Sequence, residues 1–156
     1  MKAYPYAIAS LDACWAGAAM QFEAFATAAT REELVVAISE QLALYLLDAG
    51  EYGFEVPEPL PRQELDLSEV ADGSHEVVYI EPAVINPVSL EIARAIRSSG
   101  LTKTEVARRM GTLQSVVTHM TNPFYWGHSM SLLNRLAATL GRALDLQLGS
   151  SRKSAA

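Results

Sequence analysis

The feature that most constrains the fold is a series of short helix-like segments in the last third of the chain, separated by only a few residues. Apolar residues recur there with a period close to that of a helix, and Gly100 and Gly111 stand where two of the segments end. Thr102 is followed three positions later by Glu105, which is the spacing of a capping box at a helix start. Helices this short are stable only when they pack against each other. The predicted helices span residues 88–98, 102–110, 112–120 and 129–140.

The second and third of these helices have the composition of a helix-turn-helix. Two helices that cross closely need a small residue inside the first helix and a flexible residue at the turn, and Ala107 and Gly111 are such residues. Val106, Met110 and Val117 supply apolar side chains for the contact. In helix-turn-helix proteins the second helix of the pair enters the major groove of DNA. This part of the chain is therefore predicted to be an all-α DNA-binding domain.

Polar side chains on the outer surfaces of this helix pair are the candidate DNA contacts. Gln114 is the first candidate for a base contact, because a glutamine amide can pair with adenine through two hydrogen bonds. Arg108 and its neighbour Arg109 could reach phosphates, although both could instead form a merely solvated surface. His119 and His128 have no cysteine or carboxylate partners at metal-ligand spacing, so no metal site is predicted. The predicted DNA-binding residues are Lys103, Thr104, Arg108, Gln114, Ser115, Thr118 and His119.

The segment RALDLQL near the C-terminus alternates leucine with other residues, which is the period of a strand. A lone strand leaves its backbone groups unpaired, so it needs a partner. The same segment of a second copy, antiparallel across a two-fold axis, would provide one. Leu144, Leu146 and Leu148 are therefore predicted to form the contact of a homodimer, which could pair further into a tetramer.

The first half of the chain has a different pattern, with short strand-like segments and one longer helix. Thr30, followed by Glu33, is predicted to cap that helix, and Gly50 is predicted to end it. Residues 51–73 contain closely spaced prolines and little periodicity, which indicates an extended loop. The predicted strands span residues 4–11, 15–22, 24–28 and 75–80. The fold class is therefore α+β, a small antiparallel sheet with a covering helix, followed by an all-α domain with a C-terminal dimerising strand.

Charge is divided between the same two parts. Residues 1–87 contain three basic and 15 acidic side chains, whereas residues 88–149 contain seven basic and three acidic ones. Such a division predicts a basic partner for the first part and a polyanion for the second. The predicted domains are 1–81, a linker over 82–87, a helix-turn-helix domain over 88–149 and a tail over 150–156.

Several classes of protein are disfavoured by the sequence. Asp12 and Glu23 are the only acids near the first three predicted strands, and a two-metal active site needs a converging set, so the chain is predicted not to be an enzyme and to need no cofactor. Cys14 is the single cysteine and permits no internal disulfide. No apolar stretch approaches the roughly 20 residues of a membrane span, and no signal peptide is recognisable at the start. A cytoplasmic protein is expected.

Two stretches resemble the HicB antitoxins of bacterial toxin–antitoxin pairs, in their helix-turn-helix subclass. The first stretch is GLTKTEVARRMGTLQSVVTHMTNPFYWGHSMSLLNRLAATLGRALDLQL, and the second is TREELVVAISEQLALYLLDAGEYGFEVPEPL. The resemblance implies that the N-terminal domain has a partial RNase H-like fold and neutralises a small, basic, RNA-cleaving, HicA-like toxin. It also implies that the C-terminal domain binds operator DNA as a dimer and represses its own operon. The alternative is a stand-alone helix-turn-helix repressor whose N-terminal domain senses a ligand or oligomerises.

Overall fold

The computed structural model describes residues 2–68 and 73–147. The chain divides into two compact units, and the boundary between them in the sequence lies between Ile85 and Asn86. Each unit has its own apolar core: a sheet and one helix enclose the first core, and four helices enclose the second. The α+β class is therefore confirmed. In the described part of the chain, no helix is both long enough and apolar enough to cross a membrane.

The first unit contains a four-stranded sheet in which every neighbouring pair is antiparallel. The strands lie in the order β3-β2-β1-β4. Ile8 of β1 pairs with Gly17 of β2 and with Glu76 of β4, so β1 lies in the middle of the sheet. All four predicted strands are present, with ends one to three residues shorter than the pattern predicted. Their bounds are β1 Tyr4–Ser10, β2 Trp15–Ala19, β3 Phe25–Ala28 and β4 Glu76–Ile80.

One long helix, α1, covers a face of this sheet and spans Arg31–Tyr52. The predicted capping box is present: the Thr30 hydroxyl accepts a hydrogen bond from the Glu33 N–H at 3.1 Å, and the Glu33 carboxylate accepts one from the Thr30 N–H at 3.3 Å. The predicted end at Gly50 is wrong. The helix continues to Gly53, which has a φ of 74° and donates its N–H to the Ala49 carbonyl. A glycine ends a helix only where the backbone turns left-handed, and that happens three residues later.

The core of the first unit forms where α1 packs on β1 and β2. Ile8, Leu34, Ile38 and Leu42 are almost fully buried there. At Gly17 a side chain would not fit, because a Cβ atom would lie 2.7 Å from the Ile38 Cδ1 atom. The absence of a side chain at this position therefore lets the helix approach the sheet closely.

In the connection from α1 to β4, residues 53–68 are described and include a short 3₁₀ helix, Arg62–Glu64. Two side chains hold the backbone of this described part, one from the turn after β2 and one from β4. The Gln21 amide donates to the Glu58 carbonyl at 2.8 Å and accepts from the Leu60 N–H at 2.9 Å, while the Tyr79 hydroxyl donates to the Leu60 carbonyl at 2.8 Å. The described part of the predicted loop is therefore fixed to the unit at the Gln21 and Tyr79 side chains.

The described residues of the second unit, 86–147, form four short helices around one core. Asn86 caps the first of them, since its side-chain oxygen accepts a hydrogen bond from the Val88 N–H at 3.0 Å. The apolar stripes predicted from the sequence meet in the centre, where Ile92, Val106, Val117 and Leu136 are buried. The helices are α2 Pro87–Ser99, α3 Lys103–Met110, α4 Gln114–Met120 and α5 Met130–Thr139.

The predicted C-terminal strand does not form within a single chain. Residues 142–147 have no strand pairing, because none of the described residues of the second unit forms a strand beside them. Leu144 instead packs against the helical core, and Leu146 is 55% exposed. Leu148 lies outside the described residues. The Arg142 N–H donates to the Ala137 carbonyl at 2.9 Å, whereas the backbone of residues 143–147 makes no hydrogen bond to a described residue.

Candidate nucleic-acid interface

The pair α3 and α4 is joined by three residues, Gly111–Leu113. Gly111 has a φ of 65°, which L residues with a side chain rarely adopt, and its N–H donates to the Arg108 carbonyl at 3.2 Å. The next residue, Thr112, donates its N–H to the Ala107 carbonyl at 2.9 Å. These bonds close the end of α3 and reverse the chain, so α4 begins beside the helix that precedes it.

Small and apolar side chains hold the two helices together. Val106 and Val117 are fully buried, and Ala107 and Met110 are almost fully buried beside them. The guanidinium of Arg135 on α5 donates to the Met110 carbonyl, which leaves a positive charge at the C-terminus of α3, where the helix dipole favours it. Val106, Met110 and Val117, the residues predicted to form the contact between the two helices, are thus in the core. The opposite faces of α3 and α4 are exposed to solvent.

The structure leaves all seven predicted DNA-binding side chains exposed. Gln114, Ser115, Thr118 and His119 form one continuous polar surface along α4, because the buried positions of that helix lie on its other side. Lys103 and Thr104 are in the first turn of α3, and Arg108 is in its last turn. The four side chains on α4 are therefore brought together, whereas those on α3 are divided between its two ends.

The charges on α3 are more balanced than their sequence suggests. Arg108 donates two hydrogen bonds to the Glu105 carboxylate, at 2.9 and 2.7 Å, and Arg109 donates one at 2.8 Å. These two guanidinium groups lower the pKa of Glu105 to about 2. The Glu105 carboxylate thus binds the two arginines and does not complete a capping box with Thr102. The other half of the cap is present, because the Thr102 hydroxyl accepts a hydrogen bond from the Glu105 N–H at 3.2 Å. Lys103, by contrast, forms no ion pair with any residue in 2–68 or 73–147.

Two large side chains near this surface were not singled out from the sequence. Leu113, the last residue before α4, is 71% exposed, and Trp126 in the loop after α4 is 60% exposed. An apolar side chain at the start of the helix could contact a thymine methyl group. The aromatic run Phe124 to Trp126, after the predicted recognition helix, was the available signal in the sequence.

The loop that carries Trp126 is held by a polar cluster at the start of α2. Asn86 donates its backbone N–H to the Pro123 carbonyl and its side-chain amide to the Tyr125 carbonyl, both at 2.7 Å. Ser89, which is fully buried, forms a hydrogen bond of 2.9 Å with His128 Nε2. Burial lowers the pKa of His128, so the neutral imidazole is favoured. The cluster gives the loop a defined position next to α4.

The predicted dimer residues border a second surface feature. A concavity of about 410 Å³ lies between α2 and α5, and residues 142–146 line part of it. Arg142 donates to the Ser98 hydroxyl at 2.9 Å, which fastens the start of this segment to α2. Leu144 and Leu146 both line the concavity, so they lie beside an apolar groove in the second unit.

The acidic side chains and the cysteine of the first unit do not form a reactive cluster among the described residues. Asp12 and Glu23 lie in separate turns, at opposite ends of β2. Across residues 2–68 and 73–147, no three His, Cys, Asp or Glu side chains are grouped so that they could hold a metal ion. Cys14 is a free thiol at intermediate exposure.

Comparison with known proteins adds no assignment, since the chain matches no protein-family model and no curated protein sequence is similar to it.

Proposed function

We propose that the chain is a DNA-binding antitoxin similar to HicB, which represses its own operon through the second unit and neutralises a small, basic, RNA-cleaving toxin through the first. The observation that carries the proposal is the pair α3 and α4. These helices are joined by three residues, packed through Val106, Ala107 and Val117, and the later helix exposes a continuous polar face. This is the arrangement in which a helix-turn-helix presents its second helix to the major groove.

The chemistry of α4 suits the reading of bases. Gln114 can donate and accept at once, as recognition of adenine requires, and Ser115 and Thr118 offer hydroxyl groups to bases or phosphates. Lys103 has no intramolecular ion pair in the described residues, so its charge is available to a phosphate. Arg108 and Arg109 would first have to exchange Glu105 for phosphate, which makes them weaker candidates.

DNA binding is tested with two substitutions that should act differently. Gln114→Ala removes a base contact, so we expect a loss of about 1–3 kcal/mol at one base pair of the selected site and little change on random DNA. Lys103→Ala removes a phosphate contact, so affinity for all sequences should fall and its salt dependence should flatten. Asn134→Ala on α5 removes an exposed amide elsewhere and serves as the control. Equal losses on selected and random DNA for both variants would contradict this division of roles.

The antitoxin half of the proposal is supported by the charge of the first unit and by the resemblance to HicB. Fifteen acidic against three basic side chains in residues 1–87 would attract a cationic protein. The test is co-expression with the basic protein encoded by an adjacent reading frame, followed by size-exclusion chromatography. A stable complex that abolishes RNA cleavage by the partner is expected. If no complex forms while DNA binding persists, the stand-alone repressor is the better description.

The proposal includes a dimer, because two copies would place two α4 helices on the half-sites of an operator. Residues 142–148 are the proposed contact, since Leu146 is exposed and the backbone of residues 143–147 makes no hydrogen bond to a described residue. Deleting residues 143–156 should yield monomers in sedimentation analysis. A deletion variant that remains dimeric would place the dimer contact elsewhere.

A further inference from the structure

One face of the sheet in the first unit is not covered by α1. Side chains alternate between the faces of a strand, and Tyr6 and Ile8 point to the helix. The intervening residues of β1 point to the opposite face, where Ala7 pairs with Ala18 and Ala9 pairs with Ala16 of β2. Four alanines therefore form the floor of this second face, which we call the alanine face. Ala7 and Ala9 on the central strand are buried, Ala16 is half-buried and Ala18 is exposed.

Larger apolar side chains surround the floor. Phe25 on β3 is 62% exposed, Leu11 after β1 is 54% exposed, and both line a concavity of about 330 Å³ together with the four alanines and His75. Tyr79 on β4 is also exposed, and its hydroxyl is bonded to the Leu60 carbonyl at the far end of the strand. Exposed apolar residues that are grouped in this way mark interaction surfaces more often than scattered ones do.

Unpaired negative charges lie at the two ends of the alanine face. Asp12 is in the turn between β1 and β2, and Glu23 is in the turn between β2 and β3. Both are exposed, and neither forms an ion pair with a described residue. Two of the three basic side chains of the unit are already engaged, Lys2 with Glu58 and Arg31 with Glu76. The surface is thus apolar in the middle and negative at its ends.

We propose that the alanine face docks an amphipathic, basic α-helix of a partner protein. The outer strands of a four-stranded sheet are about 14 Å apart, which leaves room for a helix about 10–12 Å across. Alanine side chains allow that helix to approach closely, and its lysines or arginines would reach Asp12 and Glu23. A second copy of the chain is the weaker fit, since two acidic units would face each other. The inference rests on the proposed function in one respect, that the first unit binds a basic protein.

The experiment uses the full chain with ¹³C-methyl-labelled alanine and two designed peptides of about 18 residues, about 27 Å long as helices. Both peptides carry leucine at helical spacing, and their remaining positions are lysine in one and glutamate in the other. The lysine peptide should shift the methyl resonances of Ala7, Ala9, Ala16 and Ala18 saturably. The glutamate peptide should not shift them.

Substitutions in the chain then test separately whether binding of the lysine peptide depends on the shape of the alanine face or on the negative charges at its ends. Ala18→Gln places an uncharged bulky side chain on the floor and should weaken binding of the lysine peptide at least tenfold. Ala29→Gln makes the same change outside this face and should leave the affinity unaltered. Asp12→Asn with Glu23→Gln should weaken binding several-fold and flatten its salt dependence, whereas Asp48→Asn with Glu55→Gln should change it less. Thermal melts of each variant establish that it is folded.

Three results would overturn the inference. They are an absence of saturable methyl shifts, shifts confined to residues of α1, and equal affinity of the Ala18→Gln variant and the unaltered chain. A change of oligomeric mass in Ala18→Gln, measured by sedimentation, would assign the face to a second copy instead. The two proposals fail separately. If the lysine peptide binds but the adjacent gene product does not, the antitoxin role fails; if their complex tolerates Ala18→Gln, the docking face fails.

Discussion

The two units bury their apolar residues in different ways, and they therefore present different kinds of surface to solvent. In the first unit, a 22-residue helix packs on one face of a sheet, and an apolar concavity lies on the other face. In the described part of the second unit, four helices of seven to 13 residues surround one core, and the surface outside that core includes both the polar face of α4 and an apolar groove between α2 and α5. The first unit therefore has an apolar concavity on a sheet face, whereas the second unit has both a polar helix face and an apolar groove. Composition follows this division, with acids in the first unit and bases in the second.

The largest expected effect tests whether the two cores are separate. Leu42 is completely buried in the core of the first unit. Leu42→Ala should destabilise that unit by about 2–5 kcal/mol, because it leaves a cavity. Hydrogen exchange followed by mass spectrometry should show lost protection in α1 and the sheet and unchanged protection in α3 and α4. Equal loss in both units would mean that they unfold as one.

The close contact between α1 and the sheet is tested with two glycines of the first unit. Gly17→Ala should cost about 1–3 kcal/mol, because the new methyl group would meet Ile38 and Ile8. Gly50→Ala is the matched control, since no atom lies within 4 Å of a Cβ placed there and alanine is favoured inside a helix. It should stabilise by about 0.5–1 kcal/mol. Urea denaturation measures both, and a neutral Gly17→Ala would show that the helix can move away.

The helix caps allow a direct comparison between the units. Thr30 forms a complete reciprocal box, whereas at Thr102 only the hydroxyl bond is made, because the Glu105 carboxylate binds arginines. Thr30→Ala and Thr102→Ala should each cost about 0.5–2 kcal/mol, with the larger loss at Thr30. Thermal unfolding of both variants gives the order. A larger loss at Thr102 would mean that the second unit depends more on its caps.

The smallest effect concerns the charge of the second unit. The folded pKa of Glu105 is about 2 against a usual value of 4.5, so its ion pairs stabilise the unit above pH 4.5 and are lost as pH falls towards 2. Glu105→Gln should therefore flatten the dependence of stability on pH in that range, as followed by circular dichroism during acid titration. The variant should also bind random DNA more tightly at low salt, because Arg108 and Arg109 lose their internal partner. Unchanged affinity would indicate that neither arginine reaches DNA.

Local patterns were sufficient to predict most of the secondary structure. The caps at Thr30 and Thr102 and the left-handed glycines at 100 and 111 lie where their neighbours in sequence indicated. The prediction that Gly50 ends α1 was wrong, because Gly50 and Gly53 both follow the apolar stripe of that helix. Only the path of the backbone after the last packed turn decides which of them adopts a positive φ. The C-terminal leucines posed a similar difficulty, since a strand depends on a partner that a single chain does not provide.

What the sequence determined by itself about this protein is the position of its helices and strands, the division of charge between its halves and the exposure of the α4 side chains. Each of these depends on residues that are near in sequence, through caps and hydrophobic period. Only the tertiary structure decided that Asn86 and Ser89 fix the loop of Trp126, and that an apolar concavity lies on the sheet face opposite α1. These features depend on which side chains meet when helices and strands pack, and that packing joins residues too far apart in the chain for a local pattern to predict.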